Sequence, residues 1–178
     1  MTAVRTPSFF AAAPVVGLVI ATIALIADQV SKYVMVDLVM RPEGITGTPY
    51  FSGKVIDILP IFQLRMAWNT GISFSLFDSG TTLTIAALLI VQSLIMATVI
   101  WYMWQMDRRW MQAACGVIIG GGLGNIVDRV TMGAVADFLH FYWGDWHFPT
   151  FNVADTCITI GVIMWLLDAF VVHPQHTD

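Results

Sequence analysis

Residues 82–105, TLTIAALLIVQSLIMATVIWYMWQ, contain no Asp, Glu, Lys or Arg. A bilayer core about 30 Å thick is crossed by roughly 20 apolar residues in a helix, so this stretch is long enough to span a membrane. Three further stretches approach that length, at about 9–27, 111–129 and 153–172. The sequence therefore predicts a mainly α-helical membrane protein with four transmembrane helices, in which residues 1–178 form one polytopic domain. A cleaved signal peptide is the alternative for the first span, and the later spans disfavour it.

The composition supports a membrane protein. Of the 178 residues, 57% are hydrophobic and only 11% are charged, whereas an ordinary soluble domain carries about 25% charged residues. The mean hydropathy is +0.75. The net charge is −4 and no basic run occurs. These features exclude a nucleic-acid partner, because phosphate binding needs clustered Lys and Arg.

Charge in the links predicts the orientation. The short link between the second and third spans contains Arg108 and Arg109, and basic residues beside span ends favour the cytoplasm. Since the number of spans is even, both termini are then cytoplasmic. Arg41, Lys54 and Arg65 lie in the segment that this orientation places outside, so the charge signal is mixed.

The long outer segment, at about 41–80, predicts a small extracytoplasmic β-sheet. Glycine and proline punctuate it as turns. From Phe62 to Asn69, apolar and polar side chains alternate with the period of a strand. We expect the sheet to lie on the membrane surface, with its apolar face against lipid or the helices. The third link, 131–152, is aromatic and lacks Lys and Arg, which is typical of an interfacial loop.

Polar side chains recur at i, i+3 and i+4 at the outer ends of two spans. They are Asp28, Ser31 and Lys32 on the first helix, and Asn125, Asp128 and Arg129 on the third. Ionisable groups at this depth cost about 2.5–3.5 kcal/mol each and persist mainly where they pair or act. Ion pairs are the alternative to a functional site for both sets, including an Asp128–Arg129 pair that locks two helices.

Two further carboxylates point to acid–base chemistry. Asp137 follows the third span, Asp155 opens the fourth, and Asn152 precedes Asp155 by three residues. Antiparallel helices joined by a short link bring these ends to the same side of the membrane. Two neighbouring carboxylates near lipid share one proton, so that one member is a general base and the other a general acid. This is the arrangement of an aspartic protease.

Other chemistry and other functions remain as alternatives. Asp137 and His140 stand at i, i+3, and His147 and Asp155 would complete a set of metal ligands, although no HExxH motif occurs. A channel or transporter subunit would use the polar helix ends as an ion path. An assembly factor would use the glycines at 116–124, which recur every four residues and form a close-packing helix face.

The chain resembles the lipoprotein signal peptidases, also called signal peptidase II, in five segments that occur in the same order. These are DQVSK at 28–32, NTGISFS at 69–75, GGLGNIVDRV at 121–130, VADFLHF at 135–141 and FNVAD at 151–155. The resemblance implies an aspartic endopeptidase with four transmembrane helices and a small extracytoplasmic sheet called a cradle. It implies that Asp137 and Asp155 are the catalytic pair. Further residues would shape the site or contact substrate, namely Asp28, Lys32, Asn69, Gly71, Asn125, Arg129 and Asn152, with Asp128 as a structural partner.

The resemblance also implies the substrate and the location. The family removes the signal peptide of a prolipoprotein by cleaving on the amino side of a cysteine that carries diacylglycerol. The expected partners are therefore diacylglyceryl-modified prolipoproteins, membrane lipid and inhibitors of the globomycin type. The expected location is the bacterial cytoplasmic (inner) membrane, with the active site at its outer face. No metal or organic cofactor is expected.

Overall fold

Four long helices dominate the computed structural model, which describes residues 13–71 and 82–172. Helix α1 covers Val15–Tyr33 and continues as a π-helical segment, Val34–Met40. Helices α2 and α3 cover Thr82–Trp104 and Arg109–Met132. Helix α4 covers Val153–Leu167 and ends in a second π-helical segment, Asp168–Val172. All four are long and apolar enough to cross a membrane, so the predicted helical membrane class is confirmed.

Helix α3 lies at the centre of the bundle and contacts each of the other three helices. Its glycines make these contacts possible. A Cβ atom on Gly120 would lie 2.5 Å from the Ala21 carbonyl oxygen of α1, and one on Gly121 would lie 2.5 Å from the Ala154 carbonyl oxygen of α4. The predicted glycine face is therefore an internal packing surface, where backbones approach as small residues allow in lipid.

The first helical span extends well beyond residue 27, where the sequence predicted its end. Asp28 and Lys32 do not terminate the helix, because both side chains are buried in the bundle and form an ion pair with each other. The helix continues to Met40. Residues 9–12 of the predicted span lie outside the described residues.

A four-stranded antiparallel sheet lies at one end of the bundle, with the order β1-β2-β3-β4. The strands are Val55–Leu59, Phe62–Asn69, Val135–Trp143 and Trp146–His147. The sequence predicted the sheet in 41–80 alone and an interfacial loop at 131–152. That prediction was incomplete, because the third link forms β3 and β4, which are two of the four strands, and β3 pairs with β2. Residues 72–80 of the predicted insertion lie outside the described residues.

The sheet is fixed to the helices from two directions. Gly133 ends α3 in the left-handed conformation, with φ 73°, which glycine adopts at low cost. The chain therefore turns from α3 into β3 within a few residues. On one side of the sheet, Val36, Met40, Phe51 and Ala136 form a buried apolar cluster. The extension of α1 thus supports the strands that carry the site.

The close approach of α1 to α3 leads to a prediction about stability. We expect Gly120→Ala to lower stability by about 1–3 kcal/mol, because the new methyl group overlaps the backbone of α1 and forces the helices apart. Thermal unfolding of the purified protein in detergent measures this change. Gly47→Ala is the matched control, since a Cβ there meets nothing within 4 Å. Equal melting temperatures for the two variants would contradict the packing role.

Candidate active site

Asp137 and Asp155 come from different elements and meet at one asparagine. Asp137 lies on β3 and Asp155 lies in the first turn of α4. The side-chain amide of Asn152 donates to Asp137 Oδ1 at 2.7 Å, and its backbone N–H donates to Asp155 Oδ2 at 3.2 Å. The structure therefore brings together the two carboxylates that the sequence singled out, with Asn152 in contact with both.

Asp137 is held in a buried, hydrogen-bonded position. Its second oxygen accepts from the Asn69 amide at 3.2 Å. The β2–β3 register explains this contact, since Ala67 pairs with Asp137 and Asn69 with Val135, so Asn69 projects from the same face as Asp137. Burial, followed by repulsion from Asp155, raises the pKa of Asp137 to about 7, although Asn69 and Asn152 act in the opposite direction. Asp137 thus exchanges its proton near neutral pH.

Asp155 is positioned by the start of α4. Asn152 is the N-cap residue, and its side-chain oxygen accepts from the Asp155 N–H at 2.9 Å. The reciprocal bond from Asn152 N–H to the Asp155 carboxylate completes a capping box. The other Asp155 oxygen accepts from the Asn125 amide at 2.9 Å. Local capping and a contact from α3 therefore fix both oxygens of this carboxylate.

A buried ion cluster lies beneath the two carboxylates. Lys32 Nζ is 2.8 Å from Asp28 Oδ2 and 2.9 Å from Asp128 Oδ2, and all three residues are at most 3% exposed. The helical spacing places Asp28 and Lys32 on one face of α1, and this face meets Asp128 on α3. The i, i+3 and i+4 pattern therefore marks a contact between two helices. The local Asp28–Lys32 ion pair is one of its two ion pairs, and the other, Lys32–Asp128, joins α1 to α3.

The ion cluster also contacts the two elements that carry the carboxylates, and Asn125 of α3. Asp28 Oδ1 accepts from the backbone N–H of Ala154 at 2.9 Å, and Asp128 Oδ2 accepts from that of Ala136 at 3.2 Å. Lys32 donates to Asn125 Oδ1 at 3.0 Å. Because Lys32 can only donate, the Asn125 side chain must turn its oxygen to Lys32 and its NH₂ group to Asp155.

The sequence left open an ion pair between Asp128 and Arg129, and the structure does not form this pair. Asp128 turns to Lys32, and the guanidinium of Arg129 instead donates to the Gly71 carbonyl at 3.2 Å. Neighbouring positions on a helix point in different directions, which explains the separation. Gly71 in turn donates its N–H to Asn69 Oδ1 at 3.1 Å. Arg129 and Gly71 thus support the residue that binds Asp137.

Two glutamines belong to this network although sequence reasoning did not select them. Gln29 donates to Asp28 Oδ2 at 3.2 Å and to Asp128 Oδ1 at 3.1 Å. Gln92 accepts from Arg129 at 3.3 Å. Gln29 could have been selected because it lies between Asp28 and Lys32 in the sequence. The signal for Gln92 was that it is the only amide or charged side chain in Thr82–Trp104.

His140 and His147 contact each other through their rings. His140 Nε2 is 3.0 Å from His147 Nδ1, and the rings stack. Burial and nearby Arg65 lower the pKa of His140. The metal-ligand alternative started from the i, i+3 spacing of Asp137 and His140. Both residues lie on a strand, where residues three apart point to opposite faces. Among the described residues no group of three or more His, Cys, Asp or Glu is placed to hold a metal ion.

The arrangement supplies the groups that amide hydrolysis requires. A carboxylate pair near the bundle end can hold one proton between them, so one member activates water and the other donates to a carbonyl oxygen. The surrounding donors are neutral amides of Asn69, Asn125 and Asn152, which orient the pair without cancelling its charge. The geometry therefore fits an aspartic peptidase.

Comparisons with known proteins lead to the same class. The family model described as Signal peptidase (SPase) II matches residues 20–171. A lipoprotein signal peptidase of Symbiobacterium thermophilum is 34% identical over 164 residues, which cover 90% of this chain and 98% of the relative. One of Sphingopyxis alaskensis is 40% identical over 150 residues, which cover 83% of this chain and 81% of the relative.

A solved structure shares the architecture as well. A bacterial membrane enzyme determined by the in meso method aligns with a TM-score of 0.72 at 25% identity, and the alignment covers 91% of each chain. The family model and the relatives each cover more than four fifths of the chain. The chain therefore belongs to the signal peptidase II family of aspartic peptidases.

Proposed function

We propose that this chain removes the signal peptide from bacterial prolipoproteins by cleaving on the amino side of a diacylglyceryl-modified cysteine, with Asp137 and Asp155 as the catalytic pair. The observation that carries the proposal is the contact of Asn152 with both carboxylates. A single rigid residue that touches both acids gives them the fixed separation that shared-proton catalysis needs.

The two aspartates have different environments and therefore different roles. Asp137, with its pKa raised to about 7, is the general acid of the pair, and Asp155, at the start of α4, is the general base. Asp155 takes a proton from the attacking water, and Asp137 donates its proton to the carbonyl oxygen of the scissile bond. The tetrahedral intermediate then collapses as the C–N bond breaks: Asp155 gives its proton to the leaving nitrogen, and Asp137 takes a proton back from a hydroxyl of the intermediate, so the pair returns to its starting state.

The other site residues act by positioning. Lys32, with Asp28 and Asp128, orients Asn125 toward Asp155. Asn69 holds Asp137, and Gly71 holds Asn69. The remaining members of the proposed site are Arg129 and Asn152. Each of these contacts fixes a donor before substrate arrives, which lowers the reorganisation needed in the transition state.

The position of the pair at the end of the bundle suits a lipid-anchored substrate. The diacylglyceryl chains remain in the bilayer while the peptide passes between the helix ends and the sheet. Lipid anchoring thereby supplies part of the orientation that a deep pocket supplies in a soluble enzyme. By family resemblance, globomycin-type inhibitors occupy the same place.

The orientation follows from which basic residues lie opposite the site. Arg108, in the α2–α3 link, forms an ion pair with Asp168 at the far end of α4, so this link lies at the end of the bundle remote from Asp155. Adjacent Arg108 and Arg109 favour the cytoplasm. We therefore place both termini inside and the catalytic pair at the outer face of the bacterial inner membrane, in one polytopic domain formed by residues 1–178.

The first test of this function uses purified protein in detergent. We expect cleavage of a diacylglyceryl-modified prolipoprotein, no cleavage of its unmodified form, and block of the reaction by globomycin. Activity should survive a chelator. Equal cleavage of both substrates would overturn the proposed specificity, and loss of activity with the chelator would transfer the chemistry to a metal site.

Variants in the same assay test the catalytic pair. Asp137→Asn and Asp155→Asn should each lower turnover by about 10²–10⁴-fold or more, because each removes an acid–base group. Asp145→Asn is the matched control, since Asp145 is exposed in the turn between β3 and β4. Turnover retained in either of the first two variants would remove that aspartate from the mechanism.

The raised pKa of Asp137 predicts the alkaline limb of the pH profile. Catalysis needs one proton on the pair, so kcat/KM should fall above about pH 7 as Asp137 loses its proton. The measurement is kcat/KM as a function of pH from about 5 to about 9. A profile that stays flat across the whole range is inconsistent with Asp137 as the general acid.

Thermal unfolding provides an independent check on Asp137. The folded protein binds this proton more tightly than the unfolded chain, whose Asp has its ordinary value of 3.8. Its contribution to stability is therefore lost as pH rises from about 4 to about 7. Asp137→Asn should weaken this dependence, whereas Asp145→Asn should leave it unchanged.

Cysteine labelling tests the orientation. A cysteine introduced by Asp145→Cys should react with a membrane-impermeant maleimide in intact spheroplasts, and one introduced by Asp107→Cys should react only after permeabilisation. Both positions are exposed. Native Cys115 is buried but native Cys157 is half-buried, so the parent protein without an introduced cysteine is labelled in parallel as the background control. The reverse pattern would place the catalytic pair in the cytoplasm.

A further inference from the structure

Gln92 places an amide in a membrane helix that has no charged side chain. It lies on α2 and is the only amide or charged side chain in Thr82–Trp104. Its Nε2 donates to the Gly122 carbonyl of α3 at 3.2 Å, and its Oε1 accepts from Arg129 Nη1 at 3.3 Å. A polar side chain in a span persists mainly where it is paired or active. Gln92 is paired through both ends of its amide.

The packing of α2 on α3 fixes where Gln92 can reach. A Cβ on Gly122 would overlap Met96, which follows Gln92 by one helical turn. Residues four apart share a helix face, so Gln92 and Met96 present the same side of α2 to α3. The absence of a side chain at Gly122 therefore brings α2 close enough for Gln92 to contact both α3 and Arg129.

Arg129 connects Gln92 to the catalytic pair. Its Nη2 donates to the Gly71 carbonyl at 3.2 Å, Gly71 donates to Asn69, and Asn69 donates to Asp137 Oδ2. Arg129 also interacts electrostatically with three carboxylates, those of Asp137, Asp155 and Asp128. A long side chain loses rotamer freedom when it is fixed, and the contact with Gln92 offsets part of that cost.

We infer that Gln92 is a positioning residue for the peptidase reaction, because it anchors the Arg129 guanidinium to α2 and thereby holds Gly71 and Asn69 in place on Asp137. The inference rests on the proposed catalytic role of Asp137. Among the described residues, α2 provides no other residue to the site. Through Gln92, this helix helps to organise the site.

The first test replaces the amide by an apolar side chain of similar shape. Gln92→Met should lower kcat about tenfold, the effect expected from losing one hydrogen bond to a charged group, with KM changed less than twofold. Gln112→Met is the matched control, because Gln112 is a half-buried glutamine whose amide donates to the Met106 carbonyl at the other end of the bundle. Gln112→Met should leave kcat unchanged.

A second variant separates positioning from a general loss of packing. Gln92→Glu keeps an acceptor for Arg129, loses the donor to the Gly122 carbonyl, and adds a negative charge beside Arg129, which itself interacts with Asp137, Asp155 and Asp128. Its kcat at the optimum should remain within about threefold of the parent enzyme. The added charge makes loss of the Asp137 proton harder, so the alkaline limb should move to higher pH.

Each outcome decides the inference. An unchanged kcat in Gln92→Met, or an equal loss in Gln112→Met, would overturn it. If Gln92→Met does not fold, the pH profile of Gln92→Glu decides instead, and an unshifted alkaline limb would overturn it. Asp137→Asn separates the two proposals. If Asp137→Asn is inactive and Gln92→Met has an unchanged kcat, the catalytic pair stands and only the role of Gln92 is removed. If Asp137→Asn is active, the catalytic assignment itself is removed.

Discussion

The buried amino group of Lys32, shared between Asp28 and Asp128, is the constraint on which the rest of the site depends. Removing three charged groups from water is expensive, and a cluster of this kind is stable only when its remaining hydrogen-bonding capacity is satisfied. Here the partners that satisfy it are backbone N–H groups at the start of α4 and in β3, together with Gln29 and Asn125. The electrostatic requirement of the cluster therefore determines where β3 and α4, which carry the two carboxylates, lie relative to α1 and α3.

Neutral amides transmit this order to the carboxylates. Lys32 fixes the rotation of the Asn125 side chain, which then donates to Asp155 and accepts from Asn152 at 3.2 Å. Asn152 completes the connection to Asp137. An amide transfers orientation without bringing a charge next to the pair, so the repulsion from Asp155 that helps to raise the pKa of Asp137 is retained. A cation at either asparagine position would pair with the carboxylates and lower that pKa.

The glycines of α3 make the arrangement sterically possible. A Cβ at Gly124 would overlap the Asp28 carboxylate, and one at Gly121 would overlap the backbone of α4. Larger residues at these points would separate α1 and α4 from α3, and the ion cluster would lose its partners. At the end of the bundle, β3 starts two residues after Gly133, so Asp137 lies only a few residues beyond the end of α3. Close helix packing and one tight turn thus supply the precision that a large core supplies in soluble enzymes.

The sequence by itself determined the helical membrane class, the glycine packing face, the two helix faces that carry Asp28, Lys32, Asn125 and Asp128, and the aspartates that form the candidate pair. These properties follow from local composition and spacing, since a helix repeats every 3.6 residues and lipid excludes unpaired charge. Only the tertiary structure decided that α1 continues to Met40, that β3 pairs with β2, that Asp128 binds Lys32 while Arg129 binds Gly71, and that Gln92 on α2 reaches Arg129. Each of these is a contact between segments far apart in the chain, and the spacing of residues within one segment carries no information about which distant partner its side chains meet.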